Sequence, residues 1–458
     1  MIPILSLFKA RPANWKVFLL CLIVVFFLVG CSKSDSEPNR KESNPDADRG
    51  SGLVLAEETN PGEPTELVIG YYGNLNSKLM RAFNDAQSDY VLTGIDYSQN
   101  GSVPLETAVA RLNAELAAGE GPDILYTFRF RLDDVFYGEQ GWFEDLYPYI
   151  DEDPALSRDD FVPALFRAYE GNGHLYTSLP GFSVETVVVP ESLVPEGAQL
   201  SLAYLRELVD TCGAETIFGG VSRTAFFESC LSMGLSDLVD LDSGAVQFDS
   251  DYFRELLAFC ATLPEQSGEE QPKLRLCYIN SFMELQYFES VYGEKAVFLG
   301  FPSMTGSISS FGNVTDTYAI CSNSSNKAGA WQFVRQFFSR EYQETGSAAI
   351  DAFPSNLFAL ESMRETSEKT LYEERDGTLV EKTNRGFQDG FLYHAATKEQ
   401  TQQVMDLIES ATGSFRWNQA ISEIALEEAA AYFSGACSLD EAVARIQSRV
   451  SIYVAERR

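Results

Sequence analysis

Ala117-Ala-Gly-Glu-Gly-Pro-Asp-Ile-Leu-Tyr-Thr-Phe-Arg-Phe-Arg131 follows a run in which Leu105, Ala108, Val109, Leu112 and Leu116 fall at i, i+3, i+4, i+7 and i+11. That spacing puts one apolar stripe on a helix. Gly119 is placed to end the helix, because a glycine at C′ takes a positive φ at little steric cost. Pro122 and Asp123 then turn the chain, and Ile124-Leu125-Tyr126 is a short apolar run suited to a buried parallel strand. In an open α/β sheet the loop beyond the carboxyl end of such a strand lines a ligand crevice. Thr127, Phe128 and Arg129 fall in that loop.

Upstream, Leu67-Val-Ile-Gly-Tyr-Tyr-Gly-Asn74 reads as an apolar strand ending in a Gly-Asn turn. Ser77 can cap a helix whose Leu79, Met80 and Phe83 face a sheet, and Val91-Leu-Thr-Gly-Ile-Asp96 is the next strand. Strand, helix, strand, helix, strand predicts a parallel sheet, which brings Tyr72 and Asn74 to the edge that carries Thr127 to Arg129. The Gly-x-Gly-x-x-Gly and P-loop patterns are absent, so a nucleotide site has no support.

Downstream, Asp151-Glu-Asp153 reads as a solvated loop, and Asp159-Asp160 as the acidic first turn of a helix. Asn172-Gly173 is a hairpin turn, and Gly181 to Val189 is a β-branched strand with one carboxylate, Glu185. Ile217 to Thr224 is a glycine-rich turn into a helix, where Ser222 serves either as a cap or, with Arg223, as a cleft residue. Asp240 to Gly244 imitates a calcium loop, but Ala245 stands where glycine is required and Asp251 where the closing glutamate belongs. It is read as a turn, and no metal site is expected. Lys273 to Ile279 is a strand with Asn280, Ser281, Phe282 and Met283 as the loop after it, and Trp331, Phe333, Val334 and Phe337 form a core stripe.

The wording of these segments is more specific than their pattern. Ala117-Ala-Gly-x-Gly-Pro-Asp-Ile-Leu125, Gly141-Trp-Phe-Glu-Asp-Leu-Tyr-Pro-Tyr-Ile150, Asn172-Gly-x-Leu-Tyr-x-x-x-Pro180, Gly300-Phe-Pro-Ser303, Asn326 to Phe337, and Tyr432-Phe-Ser-Gly435 before Ser438-Leu-Asp-Glu-Ala442 occur in order. Together they resemble the family 1 extracellular solute-binding proteins, maltodextrin-binding-protein-like receptors of bacterial ABC importers. Ser201-Leu-Ala departs from the Thr-Trp usual at that helix start. The resemblance implies an α/β, two-lobe periplasmic-binding-protein-like fold, each lobe a mainly parallel sheet flanked by helices, with a cleft between. It implies lobe 1 over 67–183 and 312–350, and lobe 2 over 184–311 and 351–458. Glu185 then lies at the first crossing, Phe353-Pro354-Ser355 starts the last, and Trp417 stands before the C-terminal helices, where relatives often place a stacking aromatic.

The chain has 458 residues, which suits two domains, and a hydrophobic fraction of 45% that supports globular packing. Its net charge of −33 repels phosphate backbones and anionic lipid headgroups, so nucleic acid is excluded as a partner and membrane attachment needs a separate device. The N-terminus offers one. Lys9, Arg11 and Lys16 precede the apolar run Val17 to Val29, and Leu28-Val-Gly-Cys31 reads as a lipobox. Residues 1–30 are expected to be a lipoprotein signal peptide, Cys31 the lipidated residue, and 31–66 a flexible tether of Ser, Asp, Glu, Asn, Pro and Gly.

Beyond Cys21 and Cys31, the body carries Cys212, Cys230, Cys260, Cys277, Cys321 and Cys437 with no Cys-x-x-Cys pair, so zinc and redox motifs are unsupported. Cys260 reads as a buried free thiol. Gly-x-Ser-x-Gly is absent and His174 and His394 lie in no catalytic motif, so neither an enzyme nor a cofactor is expected. The expected function is delivery of a carbohydrate or oligosaccharide to ABC importer permeases by a monomer anchored on the extracytoplasmic face of the membrane. A surface lipoprotein enzyme or a sensor or adhesion module on the same fold is the alternative. The expected contacts are Tyr72, Asn74, Thr127, Phe128, Arg129, Glu185, Arg223, Asn280, Phe282 and Trp417, a mix of flat aromatics, amides and charges suited to sugar rings and hydroxyls.

Overall fold

The computed structural model describes residues 63–195, 200–240, 243–266, 272–312, 314, 316–345, 352–375, 378–381, 384–385, 391–414 and 419–456. Cys31, the tether and Trp417 lie outside the described residues. The strands that position the site are β1 (Thr65–Tyr71), β2 (Tyr90–Asp96), β3 (Ile124–Tyr126), β4 (Gly181–Pro190) and β5 (Arg275–Ile279). They continue with β6 (Ala296–Phe298), β7 (Ser310–Gly312), β8 (Tyr318–Ile320), β9 (Phe353–Pro354) and β10 (Gly413–Ser414).

The first sheet has the order β8-β3-β1-β2. β1 pairs in parallel with β2 and β3, and β8 returns antiparallel to β3 with Tyr318 opposite Tyr126. Helix α1 (Ser77–Ala86) packs Leu79, Met80 and Phe83 against this sheet as expected, but its cap is Asn76, whose side chain accepts from the Lys78 N–H; Ser77 is its first residue. Helix α2 (Leu105–Ala118) buries Ala108, Leu112 and Leu116 on the other face. Gly119 ends it at φ 73°, and its N–H reaches the Glu115 and Leu116 carbonyls.

The second sheet is organised by β4. β5, β6, β7 and β9 all pair antiparallel to it, and β10 lies parallel to β7. Those strands therefore share one direction and β4 alone runs against them. One face of β4 presents Val187 and Val189 to a core built from α3 (Leu202–Cys212), α4 (Arg223–Met233), α5 (Asp251–Cys260), α6 (Gln419–Phe433) and α7 (Leu439–Glu456). The opposite face presents Phe182, Val184 and Val188 to a core that continues to the first sheet through Leu67 and Ile69 of β1 and Phe333 of the helix Lys327–Val334.

Three segments pass between the sheets: the entry into β4, the link from β7 to β8, and the entry into β9. Each supplies a phenylalanine. Phe182 meets Phe311 with ring centroids 5.3 Å apart and Phe353 at 5.6 Å, and all three are fully buried. Backbone and hydroxyl bonds tie the same segments: the Ser178 N–H donates to the Tyr318 carbonyl at 3.0 Å and the Ser178 Oγ accepts from the Tyr318 N–H at 2.9 Å.

Two acidic segments differ from expectation. Asp153 is not solvated; its carboxylate accepts from Arg335 Nε and Nη2 at 2.6 and 2.8 Å and is only 4% exposed. The arginine is far along the chain, so local composition could not show it. Arg158-Asp159-Asp160 forms a single 3-10 turn capped by Ser157, and the helix starts only at Pro163. The Asn172-Gly173 turn is present, with φ of 52° and 81° and paired Gly171 and His174. Cys230, Cys260 and Cys321 are buried thiols, and among the described residues no cysteine is in a disulfide.

Candidate functional site

The β4 face that begins as core changes character toward the amino end of the strand. Val189 and Val187 are apolar, and the next residues on that face are Glu185 and Ser183. Alternation fixes this, since successive side chains in a strand point to opposite faces. Register extends the change across the sheet. Glu185 pairs with Tyr278 of β5 on one side and Ser310 of β7 on the other, and Ser310 pairs with Gly413 of β10. The row Tyr278, Glu185, Ser310, Gly413 therefore crosses four strands. In the next row Ser183 pairs with Gly312, and Asn280 follows directly after β5.

The electrostatics of the row centre on Glu185. Burial pushes its carboxyl up to about 7, and among the described residues it makes no hydrogen bond or ion pair. The Ser183 hydroxyl is buried without a partner among the described residues. Ser310 Oγ donates to the Met233 carbonyl at 3.2 Å. Tyr278 is 61% exposed although its strand neighbour Leu276 packs into the core. A second carboxyl lies nearby in the chain: burial raises Glu284 to about 7, although it accepts from the Asn280 N–H at 3.0 Å. The Cys277 thiol is pushed well up by burial and by both carboxyls.

The first lobe contributes the two loops read from sequence. Gly73, at φ 82°, approaches the Arg129 side chain, so the loops after β1 and β3 are adjacent. Asn74 and Arg129 are exposed and Phe128 is half-buried, its ring 6.3 Å from Tyr126. Burial and the nearby Asp316 carboxylate raise the Tyr126 phenol to about 12, against the opposing pull of Arg129. Tyr72 is half-buried and donates to the Val103 carbonyl at 3.0 Å.

Three of the expected residues are placed elsewhere. Phe282 is fully buried with its ring 5.2 Å from Phe353, so it belongs to the aromatic core between the sheets. Thr127 is 2% exposed and donates to Thr317 Oγ1 at 2.8 Å; it joins the β3 loop to the link between β7 and β8. Arg223 reaches the carboxyl end of α6, donating to the Phe433 carbonyl at 3.4 Å and lying over the Phe433 ring at 5.9 Å. Ser222 is the cap of α4, accepting from the Ala225 N–H. Sequence reading missed Tyr278, although Leu274, Leu276 and Tyr278 alternate and an aromatic ends the series. It also missed Gly312, a glycine outside any turn. Among the described residues no group of three or more His, Cys, Asp and Glu side chains could hold a metal ion. A surface hollow of about 390 Å³ lined by Glu289, Lys295 and Glu399 lies apart from the row.

No protein-family model matches the chain. No curated protein matches it either. Solved structures do match. The sugar-binding protein MalE from Xanthomonas citri is 15% identical, with a TM-score of 0.56 over 86% of this chain and 98% of its own. An ABC substrate-binding protein from Listeria monocytogenes in complex with cycloalternan is 14% identical, with a TM-score of 0.51 over 86% and 99%. A family 1 extracellular solute-binding protein from Alicyclobacillus acidocaldarius is 15% identical, with a TM-score of 0.52 over 85% and 99%. At these identities the likeness is one of fold. The chain has the two-lobe α/β fold of the family 1 solute-binding proteins.

Proposed function

We propose that this protein binds a carbohydrate, most simply an oligosaccharide, between its lobes and presents it to an ABC importer. One observation carries the reading: an exposed aromatic, Tyr278, stands in register beside a half-buried carboxyl, Glu185, that has no hydrogen-bond or ion-pair partner among the described residues, where an apolar sheet face turns polar. A flat ring packs on the apolar face of a sugar, and a carboxylate accepts from its hydroxyls. The neighbours named for sugar and cycloalternan binding support the same class of ligand. Asn74, Phe128 and Arg129 would meet the ligand from the first lobe, Asn280 and Trp417 from the second. The lobe limits proposed are 67–183 with 312–350, and 184–311 with 351–458.

Carboxyls near neutrality also suit acid–base catalysis. Glu284, however, is half-buried and already accepts from the Asn280 N–H. Binding is therefore favoured over hydrolysis. A thermal-shift panel of sugars, oligosaccharides, peptides and polyols tests the reading. An oligosaccharide at about 100 times its Kd should stabilise by about 2.7 kcal/mol. Stabilisation by peptides or polyols alone would overturn it.

We also propose anchoring through lipidated Cys31, on the lipobox that follows the apolar run. Among the described residues no helix is long and apolar enough to cross a membrane. A Cys31→Ala protein should lose fatty-acid labelling and leave the membrane fraction; retained labelling would end this reading.

A further inference from the structure

We propose that Gly312 is a positioning residue for ligand recognition: by carrying no side chain, it lets the Glu185 carboxylate lie across β7, held for the ligand beside Ser183. The inference rests on the carbohydrate reading of the row that holds Glu185.

Gly312 is not at a turn and does not have a positive φ, so its backbone does not require glycine. Space does. A Cβ built there would lie 2.5 Å from Glu185 Oε1 and 3.2 Å from both its Cδ and Cγ. The outer half of the glutamate side chain thus rests on the glycine. Gly413, in the same row as Glu185, does the same for its neighbour: a Cβ there would lie 2.2 Å from Ser310 Oγ. Two glycines on adjacent strands therefore leave room for two polar side chains, each on the strand before its glycine's in the order β4-β7-β10. The clash at Gly312 falls on the free end of a flexible side chain, not on backbone. An alanine should therefore move Glu185 rather than unfold the sheet. A purely structural glycine would behave in the opposite way.

The groups facing Glu185 are few. β5 supplies Tyr278 on the same face; the Cys277 thiol, on the opposite face of the sheet, still feels both Glu185 and Glu284, with Arg275 opposing. Across β7 the neighbour is the neutral Ser310. Among the described residues no hydrogen bond or ion pair fixes the carboxyl, and the space at Gly312 is what its outer half occupies.

The test follows the proton on Glu185 and needs no ligand. In protein labelled with carboxyl-¹³C glutamate, the resonance that vanishes in Glu185→Gln reports this group. Its midpoint should stand near 7 in the unaltered protein. In Gly312→Ala the displaced carboxylate gains solvent, and the midpoint should fall by about one pH unit or more toward the ordinary value of about 4.3. An unchanged midpoint in folded Gly312→Ala overturns the proposal. Should Gly312→Ala fail to fold, the Gly312→Ala/Glu185→Ala pair decides. Recovery of folding when the glutamate side chain is removed supports the contact, and failure of both makes the glycine a fold residue only. The carbohydrate reading fails separately, if Glu185→Gln leaves saccharide affinity untouched while the midpoint still moves in Gly312→Ala.

Discussion

Phe353→Ala should lower the stability of the folded chain by about 3–5 kcal/mol, the usual range for emptying a buried aromatic site. Phe353 is fully buried and its ring meets Phe182 at 5.6 Å and Phe282 at 5.2 Å. Phe182 in turn meets Phe311 at 5.3 Å. The vacated volume lies where the three crossings converge, so the walls cannot close on it without moving a crossing. Incomplete collapse is what puts such sites at the upper end of the range. Phe353 is also one of only two residues in β9, which leaves few other contacts to hold that segment on β4. Denaturant unfolding of both proteins measures the difference. A loss below about 1 kcal/mol would mean that the aromatic cluster does not carry the junction.

Glu185→Gln should have opposite effects on binding and on stability. Saccharide affinity should fall by about tenfold or more, about 1.4 kcal/mol, because a charge-assisted acceptor is replaced by a neutral amide. Apo stability should rise near neutral pH. The sign follows from linkage: burial raises the folded carboxyl to about 7, above its unfolded value. A raised carboxyl stabilises the fold fully below the unfolded pKa, and that contribution is lost as pH rises through the folded one. Between about pH 4.3 and 7 the parent should therefore lose up to about 3 kcal/mol that the glutamine variant keeps. Affinity should run the other way, increasing in the parent as pH rises through 7 and staying flat in the variant. Melting curves and calorimetric titrations at pH 5 and 8 measure both. Parallel pH profiles for the two proteins would remove Glu185 as the titrating group.

The stretch from Leu105 to Tyr126 was legible because its signals are local. The apolar stripe, the C′ glycine and the short buried strand each follow from near neighbours, and α2, Gly119 and β3 stand as read. The loops after β1 and β3 followed from the parallel order alone. The second-lobe row was only half legible. Glu185 stood out as a carboxylate in an apolar strand, but its partners Tyr278 and Ser310 are set by register between segments far apart in the chain. Phe282 and Tyr278 show the same limit. Both are aromatics near the end of one strand, and only packing sends one to the core and leaves the other exposed. Arg223 and Asp153 were misplaced because Phe433 and Arg335, which hold them, lie roughly two hundred residues away.

Small-angle X-ray scattering with and without the stabilising oligosaccharide tests most directly whether the lobes close on a ligand. On the proposed function, a ligand between the lobes would be met by Glu185 and Tyr278 from one side and by the Asn74 and Arg129 loops from the other. The ligand should therefore shift the hinge toward a closed form. The account predicts a smaller radius of gyration at saturation, with no such change on adding a peptide. An unchanged radius with the site shown to be saturated would contradict it.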